Sequence, residues 1–141
     1  MHALSLSQAR TILDAALAEA RAKGYQPMGV VVLDAAGQMK VAAREDGASA
    51  LRLDIASGKA GAAIGFGVNS RTLAQRAKDL PAFFNAVAST ASQKFIAQTG
   101  AVLIKDKAGN VIGAAGASGG TGDEDEAICI AGIAAAGMEH A

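Results

Sequence analysis

Residue type and spacing come closest to chemistry in residues 111–132, Val-Ile-Gly-Ala-Ala-Gly-Ala-Ser-Gly-Gly-Thr-Gly-Asp-Glu-Asp-Glu-Ala-Ile-Cys-Ile-Ala-Gly. The stretch reads as a strand of small residues, a glycine-rich loop, and a helix opening on four consecutive carboxylates, residues 123–126. A glycine-rich turn from strand into helix is where backbone amides cradle phosphate. Here the carboxylates would repel phosphate from the helix N-terminus. Nucleotide patterns fail elsewhere too. Gly58-Lys59 lacks the upstream glycine and following hydroxyl of a phosphate loop, and Gly65-Phe66-Gly67 runs to Ser70 where a dinucleotide fingerprint needs glycine.

The carboxylates have a local use instead. In a first helical turn each complements the helix dipole by roughly 0.3–1 kcal/mol. Thr121 with Glu124, or Asp123 with Glu126, also has capping-box spacing. The other reading is a cation or iron site, since Asp123 and Glu126 project from neighbouring helical faces and hard cations accept oxygen ligands. A second group comprises Arg44 and Asp46, in Arg44-Glu45-Asp46-Gly47, with Lys59 on the helix beyond. Brought together, these could bind a carboxylate and move a proton. Apart, they are surface ions.

Histidine is confined to His2 and His140, which leaves no core histidine for a Ser-His-Asp triad or a two-histidine metal site. The single cysteine, Cys129, excludes an internal disulfide and the multi-cysteine zinc sites. Between Ile128 and Ile130 it is expected to be a buried, inert thiol. Phe66, Phe83 and Phe84 are expected to close the core or wall a pocket.

The elements that must position these residues follow from periodicity. Residues 4–24 have a helical stripe of Ala9, Ile12, Leu13, Ala16, Leu17 and Ala20, a Ser5–Gln8 capping box and a terminal Gly24. Residues 28–34 read as a buried strand, and residues 39–43 as its hairpin partner across Ala35-Ala36-Gly37. Helical spacing returns over 49–65, weakened by Gly58 and Gly61, and again over 70–77 and 83–88. Residues 95–97 read as a short strand. Residues 101–106 and 111–117 make a second hairpin, and residues 123–138 the last helix. This order does not build a parallel sheet. It predicts one α+β domain, residues 1–141, with an antiparallel sheet covered by helices.

Composition narrows the function classes. The chain has 141 residues, 13 basic and 13 acidic, so no basic patch suits a nucleic acid. No apolar run is long enough to span a bilayer. Arg10, Asp14 and Glu19 interrupt the first apolar stretch, which excludes a signal peptide and predicts a cytoplasmic protein. A content of 51% hydrophobic but only 4% aromatic residues, rich in Ala and Gly, favours close backbone approach and is common in tight oligomers.

Together these segments resemble the GlcG/HbpS-type haem-binding-protein family. The resemblance is carried by Val31-Val32-Leu33-Asp34-Ala35-Ala36-Gly37, Arg44-Glu45-Asp46-Gly47, Asp54-Ile55-Ala56-Ser57-Gly58-Lys59-Ala60, Ser70-Arg71-Thr72-Leu73, Pro81-Ala82-Phe83-Phe84 and the block 111–132. It implies a profilin-like fold with a five-stranded antiparallel sheet flanked by helices. It also implies a homo-oligomer and a small-molecule ligand, with haem or a related tetrapyrrole as the cofactor class. The matching positions imply a pocket formed by Arg44, Asp46, Lys59, Gly116, Ser118, Gly119, Gly120, Asp125 and Glu126, near a subunit boundary. An axial ligand would come from Met28, Met39, Tyr25, Cys129 or a lysine. The alternative is an isomerase, tautomerase or lyase acting on a small carboxylated metabolite. There Arg44 would hold the carboxylate, Lys59 or Asp46 would shuttle the proton, and the amides of residues 116–120 would stabilise an enolate.

Overall fold

A computed structural model describes residues 2–141. Along the chain run α1 (Leu6–Ala22), β1 (Gly29–Asp34), β2 (Met39–Arg44), α2 (Arg52–Phe66), α3 (Ser70–Asp79), α4 (Pro81–Thr90), β3 (Ala101–Lys105), β4 (Val111–Ser118), α5 (Gly122–Ala135) and β5 (Glu139–His140). Both expected hairpins form, and the strands join in one five-stranded antiparallel sheet of order β2-β1-β4-β3-β5. Local signals set the helix ends. Ser5 and Gln8 make the expected capping box at the start of α1, and Gly24 takes a left-handed φ of 68° just beyond its end.

The fifth strand is not the expected one. Residues 95–97 have strand-like residues but no strand partner. The Ile96 N–H instead donates to the Gly58 carbonyl on α2, at 3.0 Å. A Cβ at Gly61 would lie 2.4 Å from the Lys94 carbonyl oxygen, and one at Gly58 would lie 2.6 Å from the Ile96 side chain. The glycines that weaken α2 by propensity are therefore the ones that let this segment lie on it. The fifth strand comes from Glu139 and His140, which pair with Lys105 and Ile104.

The remaining edge of β3 is closed by side chains. The Leu103 N–H donates to Asn69 Oδ1 at 2.8 Å, and the Ala101 N–H donates to Ser70 Oγ at 2.8 Å. The Ser70 hydroxyl donates in turn to the Ala101 carbonyl, at 3.3 Å. Closing an exposed edge in this way satisfies its backbone groups, and it also fixes where α3 begins.

Alternation along the strands divides the core. Val30, Val32, Val102, Ile104, Ala115 and Ala117 share one cluster with Ile12, Leu13 and Ala16 of α1 and Ile128 and Ile133 of α5. On the opposite face Val31, Leu33, Ala101, Leu103 and Ala114 meet Ala56, Ala60 and Ala63 of α2. The α2 side of that contact is built from alanines, so α2 lies close to the sheet. Beyond α2, Ala62, Leu73 and Phe84 form a third cluster with Phe95, which anchors α3 and α4.

Gly116 on β4 tests this close approach. A Cβ there would lie 2.4 Å from the Ala56 carbonyl oxygen and 3.0 Å from the Ala60 methyl. Gly116→Val must push α2 off the sheet, and it should destabilise the protein by about 1–3 kcal/mol in urea unfolding. An unchanged midpoint would show that α2 has room to spare.

Candidate functional site

The four carboxylates that open α5 divide into three uses. Glu124 is the cap: its N–H donates to Thr121 Oγ1 at 3.2 Å, and its Oε1 accepts from the Thr121 N–H at 3.0 Å. Asp123 and Glu126 both receive the guanidinium of Arg71 on α3, with Nε 3.0 Å from Glu126 Oε2. A cation bound between these two acids is thereby replaced by a side chain of the protein itself. Among the described residues, no group of three or more His, Cys, Asp or Glu side chains converges as a metal site.

Asp125 alone turns inward. It is 1% exposed and meets Lys59 of α2, itself 6% exposed, with Nζ 2.8 Å from Oδ2. The other carboxylate oxygen accepts from the Gly120 N–H at 2.9 Å, and the ammonium also donates to the Ala117 carbonyl at 3.1 Å. Burial pushes the Asp125 carboxyl above its usual range, while the Lys59 hydrogen bond and charge pull it back. The pair ties α2, the end of β4, the glycine loop and α5 together.

Gly100 makes room for it. Its φ is 138°, and a Cβ there would lie 2.7 Å from Lys59 Nζ. The Gly100 carbonyl also accepts a long 3.7 Å bond from the Cys129 thiol. That thiol is fully buried, and burial pushes it far above the ordinary thiol range, as expected of an inert cysteine.

Above the ion pair lies a cleft of about 600 Å³ bounded by α2, α3, the 98–99 segment and the first turn of α5. Lys59, Ser118, Gly120 and Asp125 line it, four of the residues singled out from the sequence. Gly116 lies beneath α2, and Gly119 packs on Pro27, whose carbonyl oxygen a Cβ would approach to 2.3 Å. Glu126 is turned to Arg71. Arg44 and Asp46 line a different concavity, with Arg21 and Glu45, that shares no residue with the cleft. The Arg44 guanidinium donates to the Ala48 carbonyl. Arg44, Asp46 and Lys59 therefore do not converge, and the carboxylate that Lys59 meets is Asp125.

One cleft residue escaped the sequence reading. Arg52 opens α2, and its Nη1 donates to the buried Ser118 Oγ at 3.1 Å. It has no carboxylate partner among the described residues. The signal for it is a cation in the first turn of a helix, where the dipole disfavours positive charge. Gly29 is its counterpart in the sheet. A Cβ there would lie 2.9 Å from the Arg52 carbonyl carbon, so the helix start can lie flat at this point.

Residues 4–134 match the family model described as haem degrading protein HbpS-like. Similar solved structures span nearly the whole chain. A double mutant of Streptomyces reticuli HbpS is 27% identical over 95% of this chain and 87% of that chain, with a TM-score of 0.82. The PduOC:heme complex is 25% identical over 98% of both chains, with a TM-score of 0.86. Klebsiella pneumoniae protein ORFY, 21% identical over 97% of this chain and 92% of that chain with a TM-score of 0.85, shares the fold. A comparison with curated proteins finds no match.

Removing the Lys59 ammonium leaves Asp125 buried with only the Gly120 amide. Lys59→Met should cost about 3–5 kcal/mol in urea unfolding near neutral pH. The raised carboxyl sets the sign of the pH dependence, because the folded variant holds its proton more tightly than the unfolded chain. The deficit against the parent protein should be smallest below about pH 4 and reach full size as pH rises through the folded value. A deficit that grows on acidification would contradict the arrangement.

Proposed function

The chain belongs to the HbpS-like family of haem-degrading proteins, and from that premise we propose that it binds haem or a related tetrapyrrole in the cleft above Lys59 and Asp125. The observation that carries this reading is the floor of the cleft. A charged pair is held out of water by four separate elements, directly beneath a concavity lined by convergent polar groups. Such a concavity with few, fixed polar groups is the usual form of a small-molecule site. PduOC, on the same fold and at 25% identity, is a haem-complexed relative that supports the ligand class.

The residues fit the edge of such a ligand better than its metal. When bound, haem supplies a redox-active iron. The cleft offers that iron weak oxygen donors from Ser118, Thr99, Thr121 and the acids, and two lysine side chains, of which Lys59 is engaged by Asp125 and Lys78 is exposed. Met28 and Cys129 are fully buried in the core cluster, with Tyr25 packed against it. Met39 stands exposed on the β2 edge strand. The chain's own work is thus to bind and orient the ligand and to shield one side of it from water. The same reading makes the protein a homo-oligomer. Leu80 and Phe83, both more than half exposed where α3 meets α4, supply apolar surface for an assembly to cover.

Titration of the purified protein with haemin should give a saturable change in the Soret band at micromolar protein. The spectrum should be that of ferric haem with an oxygen or lysine ligand, unlike that of bis-histidine ligation. A Soret band indistinguishable from free haemin at every ratio would remove haem from the account.

A further inference from the structure

Charges lining the cleft do not cancel. Three cations face it, Arg52, Lys59 and Lys78, against two acids, Asp123 and Asp125. Lys59 and Asp125 neutralise each other, and Asp123 is paired with Arg71, which lies outside the lining. Arg52 and Lys78 are left without an ion pair among the described residues. Arg52 is the better placed of the two, because it is half-buried while Lys78 is exposed. Its single hydrogen bond among these residues, to Ser118 Oγ, uses one of the five guanidinium donors. A half-buried guanidinium with free donors, whose charge reaches Asp125 but which has no carboxylate within ion-pair distance among the described residues, suits a planar, bidentate acceptor. Asp125 in the floor and Asp123 on the rim disfavour anything as highly charged as a phosphate, so the acceptor that fits is a carboxylate.

A second concavity, of about 360 Å³, adjoins the first. The two share Ala77 and Gln98 as a common wall. Its other side is largely apolar, built from Pro81, Phe84, Phe95 and Ile96 with Asn85 among them. The Phe84 and Phe95 rings are nearly parallel there, at 16° with centroids 6.4 Å apart. A cationic end therefore opens onto an aromatic groove.

We propose that the two concavities form one bipartite site for a planar aromatic carboxylate. Arg52, held by Ser118, anchors the carboxylate, and the ring system lies along the Phe84–Phe95 groove. This inference rests on the cleft being the ligand site, and it makes the acid groups of the ligand a condition of tight binding. Arg52 is a binding residue here, and Ser118 a positioning residue acting through it.

The test uses haemin and its dimethyl ester, read by Soret titration, against the parent protein, Arg52→Gln and Arg52→Lys. Arg10→Gln, on α1 across the sheet, serves as the control. Arg52→Gln should weaken haemin binding by about ten- to a hundredfold, and Arg52→Lys should fall between. The parent should bind the ester more weakly than the acid by a similar factor, and Arg52→Gln should not weaken the ester further. Naphthoate should displace haemin where the same concentration of acetate does not. Acid and ester bound equally by the parent would overturn the carboxylate anchor while leaving the cleft as a ligand site. Acetate competing as well as naphthoate would overturn the aromatic half. A parent protein that binds neither acid nor ester would overturn the cleft assignment and this inference with it. The ester comparison needs no substitution, so it stands even where Arg52→Gln fails to fold.

Discussion

The buried Lys59–Asp125 ion pair is the constraint around which this structure is arranged. Withdrawing two charges from water costs several kcal/mol per ion, and the pair is tolerated only with good geometry and further hydrogen bonds. Both conditions are met here by backbone. The Ala117 carbonyl receives the ammonium, and the Gly120 N–H reaches the second carboxylate oxygen. Gly100 cannot carry a side chain because the ammonium occupies that space. Each of these groups belongs to a different part of the chain, so satisfying the pair brings α2, β4, α5 and the 98–100 segment to one point.

Close packing of small residues makes that convergence possible. α2 approaches the sheet at Gly29 and Gly116, and the chain before β3 approaches α2 at Gly58 and Gly61. A helix so close to the sheet lets a lysine stem reach through to the far end of β4. The cleft then arises from what lies around the pair. α3 is pinned to the open edge of β3 by Asn69 and Ser70, and it is joined to α5 through Arg71. Two of the walls are thus fixed by polar contacts and the floor by a buried salt bridge. A preorganised polar floor of this kind orients a ligand without first having to be ordered by it.

Features governed by near neighbours were legible in the sequence. The capping boxes at Ser5 and Thr121, both hairpins and the α+β order depend on residues within a few positions, and the structure contains each of them. Residues 95–97 show the limit. Their strand-like side chains are overridden by a tertiary partner, the Gly58 carbonyl, that local pattern does not reveal. The site divides the same way. Lys59 stands out by type and Asp125 only through the family resemblance, but their pairing spans 66 positions and follows only from how the helices pack. The acidic quartet looks uniform in sequence and becomes three separate interactions once Arg71 and Lys59 arrive from elsewhere. Arg52 carries a faint signal, a positive charge at a helix start, because its partner Ser118 lies 66 positions away and the acid its charge reaches, Asp125, is bonded to Lys59 instead.

The central claim is that the cleft over this ion pair is where the ligand sits. The most direct measurement is a crystal structure grown with haemin, with the iron located by its anomalous scattering. The account predicts an iron peak within the cleft bounded by α2, α3 and the first turn of α5, with the propionate edge toward Arg52. An iron peak in the concavity lined by Arg44 and Asp46, with the cleft holding only solvent, would contradict it.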